Sequence, residues 1–388
     1  MTEKIYDLDS YRLSFRAVVM DSFVRDGRSV IVLDRTCFFP EGGGQPSDTG
    51  SIGGAYVDYV CEEGDEILHF ADRTFEKGTE VDCSVDFERR FLHMQIHTGE
   101  HILSGMIQSL FGVRNVGFHM GAEFNTIDLD RELSVDMIRK AELEANIGVW
   151  KNEPVKVYYP DPEELGSIPM RKRPVTDKPL RVVVAGGSDV CACCGTHVAF
   201  TGEVGIIKVV RHEKYKGGSR LTFLCGRQAL EDYDMKNFLL REAGNALSLP
   251  PEEVMKGIER MKRSVEEEKA EVAALSERIV SLRASALVAD AVERNGAVIV
   301  ISSEDGMSVK ELLALSGRIG ESGRSASFLF SDGRFVFSSS CDVDVRAISS
   351  EMSSRFGCRG GGRPSLSQGG TGGADVSEII AWLNSVLF

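Results

Sequence analysis

No apolar run in this 388-residue chain approaches the length that crosses a bilayer. The opening residues, MTEKIYDLDSYRL, lack the apolar core of a signal peptide. The expected compartment is therefore the cytoplasm, with no membrane partner. Net positive charge is missing as well. The 45 Lys and Arg stand against 59 Asp and Glu, a formal net charge of −14. That balance argues against indiscriminate nucleic-acid binding, because neutralising phosphates takes Lys and Arg. The nine cysteines form an odd, irregularly spaced set with Cys191, Cys193 and Cys194 crowded together. Without an export signal, this pattern favours reduced thiols and a metal site over a disulfide framework.

What is present is a soluble globular composition, 42% hydrophobic and 27% charged. The length predicts two or three domains. Two basic islands, R171-K-R-P-V-T-D-K-P-L-R181 and R211-H-E-K-Y-K-G-G-S-R220, interrupt the acidic background; solvated loops are their plainest reading. Residues 1–90 read as β-rich, with RSVIVLD and EVDCSVDF between glycine-containing turns. A helix from about 91 stops at Gly112, and another spans about 134–147. VGIIKVV and RLTFLCG flank Gly217-Gly218 and predict a β-hairpin. Residues 227–247 read as a helix.

After Pro250-Pro251, Val254, Ile258, Met261, Val265, Val272, Leu275, Ile279, Leu282 and Ala286 trace a heptad seam, broken where Glu268 takes an apolar place. The seam demands cover, from the 227–247 helix or from a second chain. Beyond about 290, GAVIVISSE, SASFLFSD and RFVFSSS are strands interleaved with helices near 308–320, 344–355 and 376–387: a separate small α/β domain.

The stretch H97-T-G-E-H101 places two histidines four apart on one helical face, where both reach a single ion. As H-x-x-E-H it also matches the inverted zinc-protease pattern. Downstream, C193-C-G-T-H197 offers Cys193 and His197, again four apart. A thiolate with three imidazoles makes a good tetrahedral zinc set. Either Cys191 or Cys194 is able to replace Cys193 in that set.

HTGEHILSG followed by CCGTHVAFTGEVG resembles the editing domain of alanyl-tRNA synthetase and its free-standing AlaX-type relatives. R35-T-C-F-F-P-E-G-G-G-Q-P-S-D-T-G50 resembles the family's glycine-rich signature in the β-barrel that precedes that domain. N115-V-G-F-H-M-G121 and T126-I-D-L-D130 resemble segments that line its pocket, and G357-C-R-G-G-G-R-P-S-L-S-Q-G-G370 resembles the end of the DHH-associated domain of the long members. The resemblance implies an α+β multidomain chain: a β-barrel over 1–90, a zinc-dependent editing domain over 91–226, a helical hairpin or coiled-coil spacer over 227–289, and a DHH-associated α/β domain over 290–388.

It further implies hydrolysis of the ester joining a wrong amino acid, chiefly serine with glycine as a further candidate, to tRNA(Ala), with one zinc per chain. The zinc ligands carried over are His97, His101, Cys193 and His197. Glu100 and His119 are the expected catalytic residues. Gly42, Gly43, Gly44, Gln45, Thr98, Arg171, Lys172, Arg173, Arg359 and Arg363 are expected to meet substrate or tRNA, with Thr98 at the serine hydroxyl. The glycine loop is no phosphate loop, since G-x-x-x-x-G-K-[ST] is absent. No D-H-H occurs either, which speaks against a phosphoesterase. The tRNA acceptor end and body are the expected partners, with a second copy of the chain pairing through the heptad helix or the C-terminal domain. Two other readings stand beside this one, a zinc-stabilised tRNA-binding protein without catalysis and a zinc peptidase.

Overall fold

The computed structural model describes residues 1–172 and 179–388. They divide into two compact units, Met1–Glu242 and Ala243–Phe388.

The first unit opens with six strands: β1 (Ser14–Arg25), β2 (Arg28–Leu33), β3 (Gly50–Ile52), β4 (Ala55–Glu63), β5 (Glu66–Ala71) and β6 (Glu80–Val85). They close into a barrel in the order β1-β2-β5-β4-β3-β6. Alternation decides which side chains go in: EVDCSV of β6 buries Val81, Cys83 and Val85 and exposes the residues between them. Phe15, Val19, Ile31, Phe38, Ile52 and Ile67 fill the interior. His69 is buried in the barrel wall, 2.9 Å from Thr36 Oγ1 and 3.0 Å from the Ile31 carbonyl. Burial pushes its ring down to about 4.

Helix α1 (Phe87–Phe111) follows, starting four residues earlier than its apolar pattern suggests. Asp86 caps it, accepting from the amides of Glu88 and Arg89, and Gly112 ends it in the left-handed conformation at φ 62°. Strands β7 (Asn115–Met120) and β8 (Asn125–Leu129), helix α2 (Val135–Trp150), and strands β9 (Val155–Tyr158), β10 (Val182–Ala185) and β11 (Asp189–Ala192) come next. Strands β12 (Ile207–Tyr215) and β13 (Gly218–Cys225) form the predicted hairpin, turning through Lys216 and Gly217, both at positive φ. One sheet has the order β12-β13-β8-β7 and a smaller one β9-β10-β11. Met94, Ile102, Leu103 and Ile107 of α1 share a core with Ile138 of α2 and with Ile127, Leu221 and Phe223 of the larger sheet.

The barrel and α1 are pinned together by a buried ion pair. Arg90 of α1 binds Asp48, on the loop between β2 and β3, and both side chains are sealed from solvent. Arg90 also donates to the Ser10 and Cys37 carbonyls, and Asp48 accepts from the Phe39 amide at 2.6 Å. Helix α3 (Gly226–Leu247) leaves from the end of β13.

The second unit holds α4 (Val254–Ala289), β14 (Val292–Arg294), β15 (Ala297–Ser303), α5 (Val309–Gly320), β16 (Ser325–Ser331), β17 (Arg334–Ser339), α6 (Val345–Phe356), β18 (Arg359–Arg363), β19 (Leu366–Gly370) and α7 (Val376–Leu387). Its sheet runs β14-β15-β16-β17-β19-β18, with β15 and β16 parallel across the α5 crossover. Every residue of β16 is buried. Phe328 and Phe330 meet α6 and α7 on one face, while Leu329 meets Leu312 and Leu315 of α5 on the other.

The heptad seam of α4 is exposed over Met261, Val265, Val272, Leu275, Ile279 and Leu282, from 45% to 66%. Within its own unit the helix buries Val254 and Gly257 near its start, and Val280 and Ala284 against α5. Among the described residues no helix is long and apolar enough to cross a membrane.

Candidate metal centre

Helical spacing places His97, Glu100, His101 and Ser104 on one face of α1. Opposite them, the turn after β11 delivers Cys193 and His197. The four side chains His97, His101, Cys193 and His197 converge, with one ligand atom from each within 4.8 Å of the others. Cys193 Sγ lies 3.3 Å from His97 Nε2 and 3.4 Å from His197 Nε2. A tetrahedral zinc with ordinary Zn–N and Zn–S lengths separates such atoms by about 3.5 Å. The residues fit a metal ion. Gly195 makes the approach possible, since a Cβ there would stand 2.1 Å from His97 Cε1.

An oxygen stands close to the remaining nitrogen of each of the three histidines. Gln45 Oε1 lies 2.8 Å from His97 Nδ1, Thr98 Oγ1 lies 3.1 Å from His197 Nδ1, and Asp189 Oδ2 lies 2.9 Å from His101 Nδ1. An acceptor at each Nδ1 holds the proton there and leaves each Nε2 lone pair pointing inward, as a metal ligand requires. Burial alone would raise the Cys193 thiol, but the three imidazoles draw it well below its usual range. Burial works against charge on His101 too, yet Cys193 and Asp189 hold it raised. The set favours a thiolate, the form that binds metal.

Arg171 neutralises the second layer. Its Nε donates to Asp189 Oδ1 at 2.8 Å, and its Nη2 stands 3.6 Å from Glu100 Oε1. Burial opposes the charge of Asp189, but His101 and Arg171 keep its carboxyl below the usual range. Arg181, a residue that motif reading missed, braces the ligand turn by donating to the Cys193 and Gly195 carbonyls at 2.8 Å.

A cavity of about 680 Å³ opens over this cluster. His97, Glu100, His101 and Cys193 line it, together with Asn115 and Phe118. Glu100 is only 4% exposed, so it is no free surface residue. Its Oε1 accepts from Ser104 Oγ and Asn115 Nδ2, both at 2.6 Å. Among the described residues no hydrogen bond reaches Oε2, which stands 3.9 Å from His101 Nε2.

Several expected contacts fall elsewhere. Thr98 is fully buried and outside the cavity lining. Its Oγ1 serves His197 and accepts from the Val198 amide at 3.2 Å, so it is not available to a serine hydroxyl. Gln45 is buried against His97 and Thr196 and does not face an RNA. The glycine loop is a tight turn, Gly42 and Gln45 exchanging backbone bonds at 3.0 Å. Gly44, at φ 84°, lies flush on β7: its carbonyl accepts from the Met120 amide, and Gly43 reaches the cavity. His119 is exposed and outside the cavity lining, because it follows Phe118 on a strand and alternation turns it to the outer face. Arg171 is committed to its ion pairs, whereas Lys172 lines the cavity and is exposed. Arg173 lies outside the described residues. Arg359 and Arg363 are exposed on β18. Asp189 was not singled out because no motif spacing ties it to the histidines, and Asn115 stood in a quoted pocket segment with no role assigned to it.

Comparison with known proteins supplies the family. The family described as the threonyl and alanyl tRNA synthetase second additional domain matches residues 180–222. The alanyl-tRNA editing protein AlaX-L of Pyrococcus horikoshii is 32% identical over 386 residues, covering 95% of this chain and 94% of that protein. The alanine–tRNA ligases of Methanoregula boonei and Pyrococcus abyssi are 33% and 30% identical, and this chain spans 43% of the length of each. With identity at that level running nearly end to end, the chain belongs to the AlaX-L family of alanyl-tRNA editing proteins.

Proposed function

We propose that this chain is an ester hydrolase that acts in trans on mischarged tRNA(Ala), removing chiefly serine and also glycine without ATP. The observation that carries the reading is the metal-fitting cluster beside a cavity, with no hydrogen bond to Glu100 Oε2 among the described residues. One zinc is the metal best suited to a thiolate and three imidazoles. Bound there, it supplies a positive field and Lewis acidity to the ester. Glu100 Oε2 takes a proton from water as the water oxygen bonds to the ester carbon. The bond from that carbon to the ribose oxygen then breaks, and the proton passes to the ribose oxygen, releasing the amino acid and intact tRNA.

A second sieve is needed because one small group is worth about 1–3 kcal/mol in a synthetase pocket. Lys172, exposed at the cavity, is placed to meet phosphate, and Arg359 and Arg363 are the residues we assign to the tRNA body. We read the chain as a barrel over 1–90, an editing domain over 91–226, a helical spacer over 227–289 and a DHH-associated domain over 290–388. The exposed seam of α4 supports pairing with a second copy.

The test is incubation of the purified protein with seryl-, glycyl- and alanyl-tRNA(Ala). Release of serine with alanine retained supports the reading, and an intact seryl ester after prolonged incubation refutes it. Four protein ligands make a closed shell, which favours one rival, a zinc-stabilised tRNA-binding protein without catalysis. That rival expects tight binding of seryl-tRNA(Ala) and no turnover.

A further inference from the structure

Strands β7 and β8 pair regularly from Met120↔Asn125 to Gly117↔Asp128, and the next pair is Asn115↔Leu129. Val116 is thus the extra residue of a β-bulge, and it is 60% exposed. The bulge resets the strand's alternation. Without it, Asn115 would share the outer face with Gly117 and His119. With it, the Asn115 side chain turns to the inner face, toward Glu100.

The amide's orientation follows from its partners. Asn115 Oδ1 accepts from the Gly117 amide at 2.9 Å, so the other end, Nδ2, faces α1. Its two protons go to Glu100 Oε1 at 2.6 Å and Ser104 Oγ at 3.0 Å. The Ser104 hydroxyl proton goes to the same Oε1 at 2.6 Å. Every proton in the triangle is spent on one oxygen of Glu100 or on holding the triangle together. The other oxygen faces the cavity with no donor among the described residues.

We propose that Asn115 and Ser104 are a positioning pair that fixes Glu100 by Oε1, so that Oε2 is presented to the reacting water and ester. The inference rests on the deacylation reading above and assigns the division of labour between the two oxygens. Both residues act through Glu100.

The test is a double-mutant cycle on the full-length, zinc-loaded protein with seryl-tRNA(Ala). Glu100→Gln is the reference. With two donors at the Oε1 position, the glutamine places its oxygen there and its NH2 where Oε2 was, keeping the triangle while abolishing the free acceptor. Asn115→Ala is expected to lower kcat by about 10²-fold, the effect of a misplaced catalytic group, with KM unchanged. In the Glu100→Gln background the same substitution is expected to cost nothing further. Ser104→Ala, benign in a helix, is expected to behave likewise and decides the matter if Asn115→Ala fails to fold. An equal loss in both backgrounds, or an unchanged kcat, overturns the proposal. Loss of bound zinc in Asn115→Ala also overturns it, since the amide would then serve the ligands. Failure of the wild type to deacylate seryl-tRNA(Ala) strikes the functional reading itself, whereas a failed cycle with an active wild type strikes this inference alone.

Discussion

Replacing Gln45 with alanine separates two accounts of the glycine-rich turn. Its Oε1 accepts from His97 Nδ1 at 2.8 Å and from the Thr196 amide at 3.3 Å, and its Nε2 donates to Thr196 Oγ1 at 2.9 Å. Gln45, His97 and Thr196 are all buried, so no water replaces these partners without rearrangement. Alanine strands two buried donors, each costing about 1–3 kcal/mol, and we expect the folded state to lose about 2–6 kcal/mol. It also releases the His97 ring from its tautomer and orientation. Such a loss weakens metal binding by about 10–100-fold, or roughly 1.4–2.7 kcal/mol. The assay is zinc competition against a chromophoric chelator, which reads affinity without reference to activity. Gln45→Glu is the control: its carboxylate accepts from both donors and from the Thr196 hydroxyl, so affinity is expected within a few-fold of wild type. Unchanged zinc affinity in Gln45→Ala, together with a raised KM for tRNA, would refute the reasoning and restore the loop as an RNA contact.

Arg90→Met leaves Asp48 charged, buried and unpaired, and is expected to cost about 3–5 kcal/mol in urea unfolding; Asp48→Leu added to it should recover most of that loss. His69 binds a proton in the folded barrel only below about 4, against 6.5 for a free ring. The unfolded chain therefore gains that proton first, and stability falls as pH drops from 6.5 to 4, by about 3 kcal/mol in total. His69→Gln is expected to flatten that part of the pH–stability curve and leave stability above 6.5 without a pH slope from this site. Substituting Arg359 and Arg363 together by alanine should weaken tRNA binding and flatten its dependence on salt concentration, as filter binding at several salt concentrations would show. Unaltered salt dependence would remove them from the interface.

The ligands were legible because helical geometry is local: two residues four apart share a face whatever surrounds them. The β12–β13 hairpin was legible for the same reason, its turn being written in Gly217. What surrounds the ligands was not. Gln45, Thr98 and Asp189 come from a loop, a helix and a strand far apart in the chain, and only the fold brings each to an Nδ1. Thr98 and Gln45 stand in motifs that point to the substrate, since a motif marks a residue without saying which neighbour it binds. His119 falls on the outer face through strand parity, which motif spacing does not carry and which the bulge at Val116 changes within the same strand. Periodicity identified the apolar face of α4 but not what covers it.

The turn that carries Gln45 belongs to the barrel's chain, yet it ends on a ligand held by α1, and Asp48 three residues later locks to Arg90 of that helix. The barrel is thus not a detachable module. A chimaera that exchanged barrels between relatives at the start of α1 would inherit a His97 without its acceptor or an Arg90 without its counter-ion, unless residues 37–48 and the facing turns of α1 travelled together. Recombination within such a family is expected to tolerate breakpoints beyond β13 far better than any breakpoint between the barrel and the metal helix.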